Sequence, residues 1–461
     1  MTAFDLIVRN GQIVTESQVI TADLGILDGQ IVAIEPSLTG ASRNEIDASG
    51  VHVLPGVIDA HIHLNEPGRI EWEGIASGSR ALAAGGATTC FDMPLNAHPP
   101  TIDAASFDLK RQAIAVSAQV DIALWGGLVP GNLDRLEELS ERGVVGFKAF
   151  MSRSGTDDFP VADDFTLHQG MIRAAALGLP VAVHAENDRL TAGLAAVAIA
   201  AGRTTARDYL ASRPPIAEVE AIERALLFAE DTGCAIHIVH VSTGRGVALV
   251  AAACARGIDA SCETCPHYLL FTEDDLVRLG AVAKCAPPLR TVDEREALWD
   301  GLVSGILPMI ASDHSPAPAT LKEGEDFFAI WGGIAGAQSL LPAMLTEAYH
   351  ARGVDLPTIA RTTAGFVARR FGFAQKGQLA IGCDADLALV DLDAKYMLAT
   401  DDLHYRHRLS PFVGYRFQGR IVRTLLRGET IVQEGNIVSP PTGRLIRPEP
   451  GATATVPQPI A

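Results

Sequence analysis

Eight short apolar runs alternate with helix-length segments between residue 53 and about residue 376, and this pattern constrains the fold more than any other feature of the chain. Amphipathic helix patterns fill most of the intervals, for example Leu133–Arg142, Val219–Asp231 and Glu294–Ser304. The eight runs are Val57–Leu64, Thr88–Met93, Val120–Leu128, Val144–Phe150, Leu179–Glu186, Ala235–Ser242, Asp259–Leu269 and Leu307–Ser315.

Strict alternation of strands and helices predicts parallel strands, because each strand needs a crossover helix before the next one can pair with it. Eight such units predict an α/β fold, and within that class a closed (β/α)8 TIM barrel. An open doubly wound sheet is the alternative. It would carry a glycine-rich phosphate turn after the first strand, and no such turn follows Leu64.

Both ends of the chain carry short strand patterns with no room for helices. Asn10-Gly11, between Asp5–Arg9 and Gln12–Thr15, predicts a hairpin turn, and so does Asp28-Gly29 before Gln30–Ile34. Strand patterns return at Ala385–Val390, Arg420–Arg427 and Glu429–Val432. We expect residues 1–54 and 377–438 to form one small β-sandwich, residues 55–376 to form the barrel, and residues 439–461 to be a Pro/Gly-rich tail that is mobile or lies on the surface.

The net charge of −18 argues against nucleic acid or an anionic membrane surface as a partner. The apolar stretch around residues 190–202 is too short, and too rich in Ala and Gly, to span a bilayer. Seven scattered cysteines and an N-terminus without a leader pattern suggest reduced thiols and a cytoplasmic location. Cys262 and Cys265 form a CxxC without a second one, which favours a buried strand with two small thiols over a zinc ribbon.

Histidines and an aspartate mark the ends of several predicted strands. His61 and His63 close the first run and share one face, because side chains two apart on a strand point the same way. His184 closes the fifth run, His240 the sixth and Asp313 the eighth. The carboxyl ends of barrel strands are where barrel enzymes place their chemistry, so this pattern predicts a metal site at the barrel mouth.

The remaining histidines are less informative. His237 lies three residues before His240, so it is expected to face the opposite way, as a packed or outward residue. Single histidines are more often hydrogen-bonded structural residues than ligands, and His98, His267 and His314 are interpreted in that way.

Lys148 lies within the apolar run that ends at Phe150. A buried ammonium without a partner is costly, so one interpretation is a lysine that points outward at the strand end. The other is a lysine that burial keeps neutral. A neutral amine can react with CO2 to form a carbamate, a bidentate anion suited to bridging two metal ions. The inward histidines on neighbouring strands favour the second interpretation.

Six of the residues discussed above resemble the ligand set of the amidohydrolase superfamily with a binuclear metal centre, namely His61, His63, Lys148, His184, His240 and Asp313. The resemblance implies that Lys148 is an N6-carboxylysine, formed with CO2, that bridges two divalent metal ions. It implies that His61, His63, His184, His240 and Asp313 complete the metal site and that Asp313 is also the catalytic proton shuttle. Zinc is the expected metal, although imidazole and carboxylate-like ligands also suit cobalt, manganese or nickel.

Within this superfamily, several stretches are similar to the cyclic amidohydrolases that act on allantoin. They are His63-Leu-Asn-Glu-Pro-Gly-Arg69, Glu71-Trp-Glu-Gly74, Met93-Pro-Leu-Asn96, Cys262-Glu-Thr-Cys-Pro-His-Tyr268, Lys284-Cys-Ala-Pro-Pro-Leu-Arg290, Ser312-Asp-His-Ser-Pro316 and Trp331-Gly-Gly-Ile-Ala-Gly336. Hydantoinases and dihydroorotases share pieces of them. Dihydroorotases supply an arginine for the substrate carboxylate two residues after the second histidine, where this chain has Asn65.

The resemblance therefore implies hydrolytic opening of a small cyclic ureide by a hydroxide shared between two metal ions. Neutral rings such as allantoin, simple hydantoins and dihydropyrimidines all remain open as substrates. Expected substrate contacts are Asn65, Asn96, Cys285, Ser315 and Gly332. For Cys285 the alternative is that its side chain is only inert packing. The resemblance also suggests a homotetramer. A metal-free scaffold protein is the non-enzymatic alternative, and the complete ligand set argues against it.

Overall fold

The computed structural model describes residues 4–449. The strands are β1 Phe4–Val14, β2 Val19–Leu27, β3 Gln30–Glu35, β4 Ser42–Asp47, β5 His52–Pro55, β6 Val57–Ile62, β7 Ala87–Asp92, β8 Asp121–Leu124, β9 Gly126–Gly127, β10 Phe147–Phe150, β11 Val181–His184, β12 Ile236–Ile238, β13 Ala260–Cys262, β14 Leu387–Met397, β15 Arg416–Leu426, β16 Glu429–Gln433 and β17 Asn436–Ile437.

Fourteen α-helices lie between and after these strands in the described residues. They are α1 Ile75–Ala84, α2 Ala104–Ser117, α3 Leu136–Glu141, α4 Asp164–Ala176, α5 Asp188–Ala200, α6 Ala206–Ser212, α7 Pro215–Thr232, α8 Gly244–Ala255, α9 Pro266–Leu270, α10 Glu273–Leu279, α11 Val292–Val303, α12 Leu340–Ala343, α13 Leu356–Ala360 and α14 Phe366–Arg370. The three helices predicted from amphipathic patterns correspond to α3, α7 and α11. Within the described part of the chain, no helix combines the length and the apolarity that crossing a membrane requires.

Strands β6 to β13 are parallel and form the barrel. One sheet has the order β6-β7-β8 and another the order β13-β12-β11-β10-β9. Only Trp125 separates β8 from β9, and Val145 N donates to Leu124 O at 2.9 Å, so the two sheets are continuous through one interrupted strand. The predicted α/β barrel is confirmed, together with a smaller β unit made from both chain ends.

The eighth predicted run, Leu307–Ser315, does not form a regular strand. It closes the barrel through single parallel bridges, from Ile310 to Thr264 and from His314 to Ile62. His63 N donates to His314 O at 2.9 Å, which completes the ring. Asp313 has a φ of 45°, and this left-handed residue interrupts the ladder that a continuous strand would need.

The interior of the barrel is filled by alternate side chains of its strands. On β11, Ala182 belongs to the inner core, whereas Val181 and Val183 belong to the outer core against the helices. Trp125 lies in the inner core and donates from Nε1 to Ala60 O at 3.1 Å. The barrel is therefore a packed scaffold below its mouth, which holds the strand ends in fixed positions.

Both chain ends pair in one mixed sheet of nine strands. Its order is β17-β16-β15-β14-β5-β1-β2-β3, with β4 pairing β1. The Asp28-Gly29 hairpin is confirmed, since both residues have positive φ between β2 and β3. The turn predicted at Asn10-Gly11 is wrong, because β1 runs through it. The positive φ of Asn10 instead produces a bulge in the pairing with β2.

The segment after β17 lies against the barrel. Ile122 N donates to Arg444 O and Ile446 N to Ile122 O, each at 2.9 Å. Ile446 packs against the inner core. Residues 439–449 thus follow the surface, and residues 450–461 of the predicted tail lie outside the described part of the chain.

Candidate metal centre

The six predicted ligands gather at the carboxyl ends of the barrel strands. His61, Lys148 and His184 lie on β6, β10 and β11, while His63, His240 and Asp313 follow strand ends. All six side chains are buried, and Asp313 is the most accessible at 8% exposure. These residues are far apart in sequence, so the closed barrel alone brings them together.

His61, His63 and Asp313 form a group whose potential ligand atoms lie within 4.8 Å of one another. Nε2 of His61 is 3.3 Å from Asp313 Oδ1, and Nε2 of His63 is 3.6 Å from the same oxygen. Nδ1 of His61 donates to Glu263 Oε1 and Nδ1 of His63 to the Leu95 carbonyl, both at 2.6 Å. These partners leave the two Nε2 lone pairs free and aimed at one point, as metal-binding histidines require.

His184 and His240 form a second pair beside this group. Nδ1 of His184 is 3.0 Å from Nε2 of His240, and Nε2 of His184 donates to Glu186 Oε2 at 2.9 Å. The Arg213 guanidinium also binds Glu186. Burial opposes ionisation, but Arg213 and His184 outweigh it and lower the pKa of Glu186 to about 2. The ionised carboxylate fixes the His184 tautomer with Nδ1 directed at His240.

Lys148 points into the barrel between the two histidine groups. Its neighbours on β10, Phe147 and Ala149, face the outer core, so the alternation places Lys148 inward. Nζ has no hydrogen-bond partner among the described residues and lies 5.0 Å from the Phe150 ring centroid. Burial lowers the pKa of Lys148 to about 7. The outward interpretation of this lysine is therefore wrong.

Burial lowers the pKa values of His61 and His240 well below the usual range, with the Lys148 charge contributing to both shifts. Neutral imidazole is the form that binds metal. Nδ1 of His240 is a second buried atom without a partner. Converging lone pairs, a partnerless buried amine and a nearby carboxylate fit divalent cations, and the sequence prediction of a metal site agrees with this geometry.

Glu263 is a site residue that the sequence interpretation missed. Its Oε2 accepts a hydrogen bond from His237 Nε2 at 3.2 Å, while Oε1 holds His61. Burial raises the pKa of Glu263 to about 8, so a nearby cation would favour its ionised form. A carboxylate inside the apolar seventh run is the feature of the sequence that could have indicated this role. The surrounding CxxC was interpreted only through its two thiols, Cys262 and Cys265, which are buried.

His237 is packed, as expected, but it does not face away from His240. Both histidines reach the barrel interior, because His237 contacts Glu263 beneath His61. His240 has a φ of 41°, and this left-handed residue changes the face on which the following side chains lie. The prediction that the His237 side chain faces away from that of His240 was therefore wrong.

The side chains of His98, His267 and His314 make no hydrogen bond to the predicted ligands among the described residues, although the His314 backbone carbonyl accepts from His63 N. His98 pairs with Asp158 at 2.7 Å on the surface, and His314 accepts from Gly336 N at 3.2 Å. His267 is fully buried against Tyr268, and neither of its ring nitrogens has a hydrogen-bond partner among the described residues. The interpretation as hydrogen-bonded structural residues therefore agrees with the positions of His98 and His314 but not with that of His267.

A small cavity of about 60 Å³ opens onto the metal-ligand side chains. Four of the five predicted substrate contacts line it, namely Asn96, Cys285, Ser315 and Gly332. Further lining residues that the sequence did not indicate are Phe150, Arg153, Ser154, Trp331 and Gly333. Burial raises the pKa of the Cys285 thiol to about 12, so this residue is an uncharged part of the wall.

Asn65 lies behind the cavity rather than in its wall. Its side chain is buried, and Nδ2 donates to Pro316 O at 3.3 Å. Asn96 Nδ2 donates to Asn65 Oδ1 at 3.4 Å. In this arrangement Asn96 is the amide that faces the cavity, and Asn65 orients it.

Comparison with known proteins agrees with this site. A model of the amidohydrolase family matches residues 52–431. An allantoinase of Rubrobacter xylanophilus is 61% identical over 97% of this chain and 99% of the relative, and one of Solibacter usitatus is 56% identical over 98% of each. The solved L-hydantoinase (dihydropyrimidinase) from Arthrobacter aurescens has a TM-score of 0.94 at 34% identity, covering 96% of this chain and all of that one.

The chain belongs to the amidohydrolase family. The resemblance inferred from the motifs is thus confirmed over nearly the whole chain. The similarity to curated allantoinases extends to an allantoinase of Escherichia coli O1:K1 / APEC, at 43% identity over 95% of this chain and 98% of the relative.

Proposed function

We propose that this protein is an allantoinase, a hydrolase that opens the cyclic amide ring of allantoin to give allantoate. Full-length identity of 43–61% to curated allantoinases is the observation that carries the choice of substrate. The buried ligand groups at the barrel mouth support hydrolysis as the reaction.

Two divalent ions fit the two groups of ligands. His61, His63 and Asp313 would hold one ion, and His184 and His240 the other. Lys148, as an N6-carboxylysine formed with CO2, would join them, because its Nζ has no hydrogen-bond partner among the described residues and its charge acts on histidines of both groups. Zinc is the proposed metal, since imidazole and carboxylate-like oxygens suit it, and cobalt, manganese and nickel remain alternatives.

When bound, such ions supply Lewis-acid chemistry: they lower the pKa of water and polarise a carbonyl. Asp313 is the proposed catalytic residue. Its Oδ1 lies between His61 and His63 at the cavity floor, where it can accept the proton of the attacking water. The same carboxyl can then deliver this proton to the ring nitrogen as the C–N bond breaks, which leaves a carboxylic acid that releases its proton to solvent to give the carboxylate product.

The cavity wall suits an uncharged ring. Apart from the exposed Arg153, the wall outside the metal-ligand side chains offers uncharged hydrogen-bonding groups, which include Asn96, Ser315, Cys285 and the Gly332 backbone. The ring carbonyls and N–H groups of a cyclic ureide need such partners. We propose these four as substrate contacts and Asn65 as the residue that orients Asn96.

Several broader features are proposed with this function. The hydrolase domain corresponds to residues 55–376, the β domain to residues 1–54 and 377–438, and the tail to residues 439–461. A homotetramer in the cytoplasm is the expected form, without nucleic acid or membrane partners, as the negative net charge suggests.

A hydantoinase or dihydropyrimidinase is the second candidate, because the solved L-hydantoinase shares the fold at a TM-score of 0.94. The test is a substrate panel of allantoin, 5-substituted hydantoins and dihydrouracil, with metal analysis of the same sample. We expect ring opening of allantoin to dominate. Turnover of hydantoins without allantoin would favour the second candidate, and inert, metal-free protein after loading with zinc and bicarbonate would favour a scaffold.

A further inference from the structure

Two lysines, the buried Lys284 and the half-buried Lys322, hold the loop that forms one wall of the cavity. Trp331, Gly332 and Gly333 line the cavity. The backbone carbonyls of this loop accept hydrogen bonds from the two lysines. Lys322 Nζ donates to Ala281 O at 3.1 Å, Trp331 O at 3.0 Å and Gly333 O at 2.5 Å. An ammonium has three N–H donors, so these three carbonyls saturate it.

Lys284 makes a similar but smaller contribution to the loop. Its Nζ donates to the Ile330 carbonyl and lies 4.6 Å from the Tyr209 ring centroid. Neither lysine forms an ion pair with a carboxylate in residues 4–449. Backbone carbonyls therefore stabilise Lys322, and a backbone carbonyl and aromatic faces stabilise Lys284. Two ammonium groups largely removed from solvent at one short loop indicate that its conformation matters.

The bonds to Lys322 fix the direction of one peptide N–H. In a trans peptide, the C=O and the N–H point in opposite directions. Since Trp331 O points at Lys322, the Gly332 N–H of the same peptide points away from Lys322. Trp331 N is already bonded to Leu321 O and Gly333 N to Lys284 O, each at 2.8 Å. Gly332 N has no acceptor among the described residues and belongs to a residue of the cavity wall.

We propose that Lys322 is a positioning residue that aims the Gly332 N–H into the cavity, where it donates to a carbonyl of the cyclic ureide. This inference rests on the proposed function. The scissile carbonyl must face the metal-ligand side chains, so the Gly332 N–H serves a different carbonyl of the substrate. A donor to a carbonyl that does not react binds substrate and transition state equally and therefore affects KM more than kcat.

The first test compares Lys322→Met with Lys284→Met in holoenzyme. Both variants remove a buried ammonium from the same loop. Only Lys322 bonds the carbonyl that shares a peptide with Gly332 N, whereas the Ile330 carbonyl shares its peptide with Trp331 N. We expect KM for allantoin to rise about tenfold in Lys322→Met, with kcat within about threefold and metal content unchanged. KM in Lys284→Met should stay near the wild-type value.

The second test removes the donor itself. Gly332→Pro eliminates the N–H, and a Cβ at this position meets only Lys284 Cε at 3.9 Å and the Tyr209 hydroxyl at 4.0 Å, so no clash arises at Cβ. It should raise KM by about the same factor as Lys322→Met, and the double variant should show little further rise, because both changes remove one interaction.

Equal KM changes in the two lysine variants, additive effects in the double variant, or loss of metal from Lys322→Met would each overturn the positioning role. Should Lys322→Met fail to fold, the Gly332→Pro result decides: an unchanged KM refutes the donor. The proposed function is tested separately, because it fails if the wild-type holoenzyme opens no cyclic ureide. The KM comparisons between variants are made only with an active wild type, so the two failures are distinguishable.

Discussion

Replacing Glu263 with glutamine should weaken the first metal site although Glu263 itself is no ligand. The carboxylate accepts one bond from His61 Nδ1 at 2.6 Å and another from His237 Nε2 at 3.2 Å. A glutamine amide has one oxygen and one NH2, so it can accept from only one of the two imidazoles on these positions. The other imidazole meets an N–H and must change tautomer or lose the bond.

The consequence depends on His61. If its Nδ1 faces the NH2 group, the proton moves to Nε2, the atom that lies 3.3 Å from Asp313 and would bind the ion. If His61 Nδ1 instead donates to the glutamine oxygen, the acceptor is neutral and the hydrogen bond is weaker. The imidazole is then a weaker metal ligand. Loss of such an orienting partner costs about 10–100-fold in metal affinity, or about 1.4–2.8 kcal/mol.

The assay is competition with a chromogenic zinc chelator, which resolves the first and second equivalents of metal. Ser261→Ala is the matched control. Ser261 lies on β13, and its Oγ donates to His237 Nδ1 at 2.9 Å. This variant therefore disturbs His237 without touching His61. We expect wild-type metal affinity in the control. Equal affinity in Glu263→Gln and wild type would refute the argument that Glu263 sets the His61 tautomer.

Three further changes test separate parts of the site. Lys148→Ala should lose metal and activity, with partial rescue by short carboxylic acids that fill the carbamate position; wild-type metal content would contradict a bridging role. Asp313→Asn should lower kcat by about 10²-fold or more, because the amide cannot carry the proton, and a kcat near wild type in metal-loaded protein would exclude it as shuttle. Gly333→Ala should lower both Tm and kcat/KM, since its Cβ would lie 2.3 Å from Ser315 O, and an unchanged melting curve would show that the loop moves freely.

The barrel and most ligand positions could be predicted from the sequence because both depend on local periodicity. His184 was placed inward by its position at the end of the fifth run, and Lys148 by the histidines on neighbouring strands, and both side chains point into the barrel. Contacts between distant segments left no such signal. His61 and Glu263 are 202 residues apart, and nothing in either run indicates that the two side chains meet. The lysine contacts of the Trp331 loop are invisible for the same reason.

The failures of the sequence interpretation cluster where the backbone leaves regular geometry, and the site explains why. Asn65 and His240 lie beyond the ends of β6 and β12, Asp313 lies in the irregular eighth run, and all three have positive φ. Regular strands would send alternate side chains outward, so they could not direct this many groups at one cavity. A left-handed residue costs about 1–2 kcal/mol but changes the direction of the chain within one position. The convergence of ligands therefore requires irregular strand ends, and the same irregularity removes the period-2 signal on which strand prediction depends. This is why the eighth strand and the direction of His237 were mispredicted beside ligands that were identified correctly.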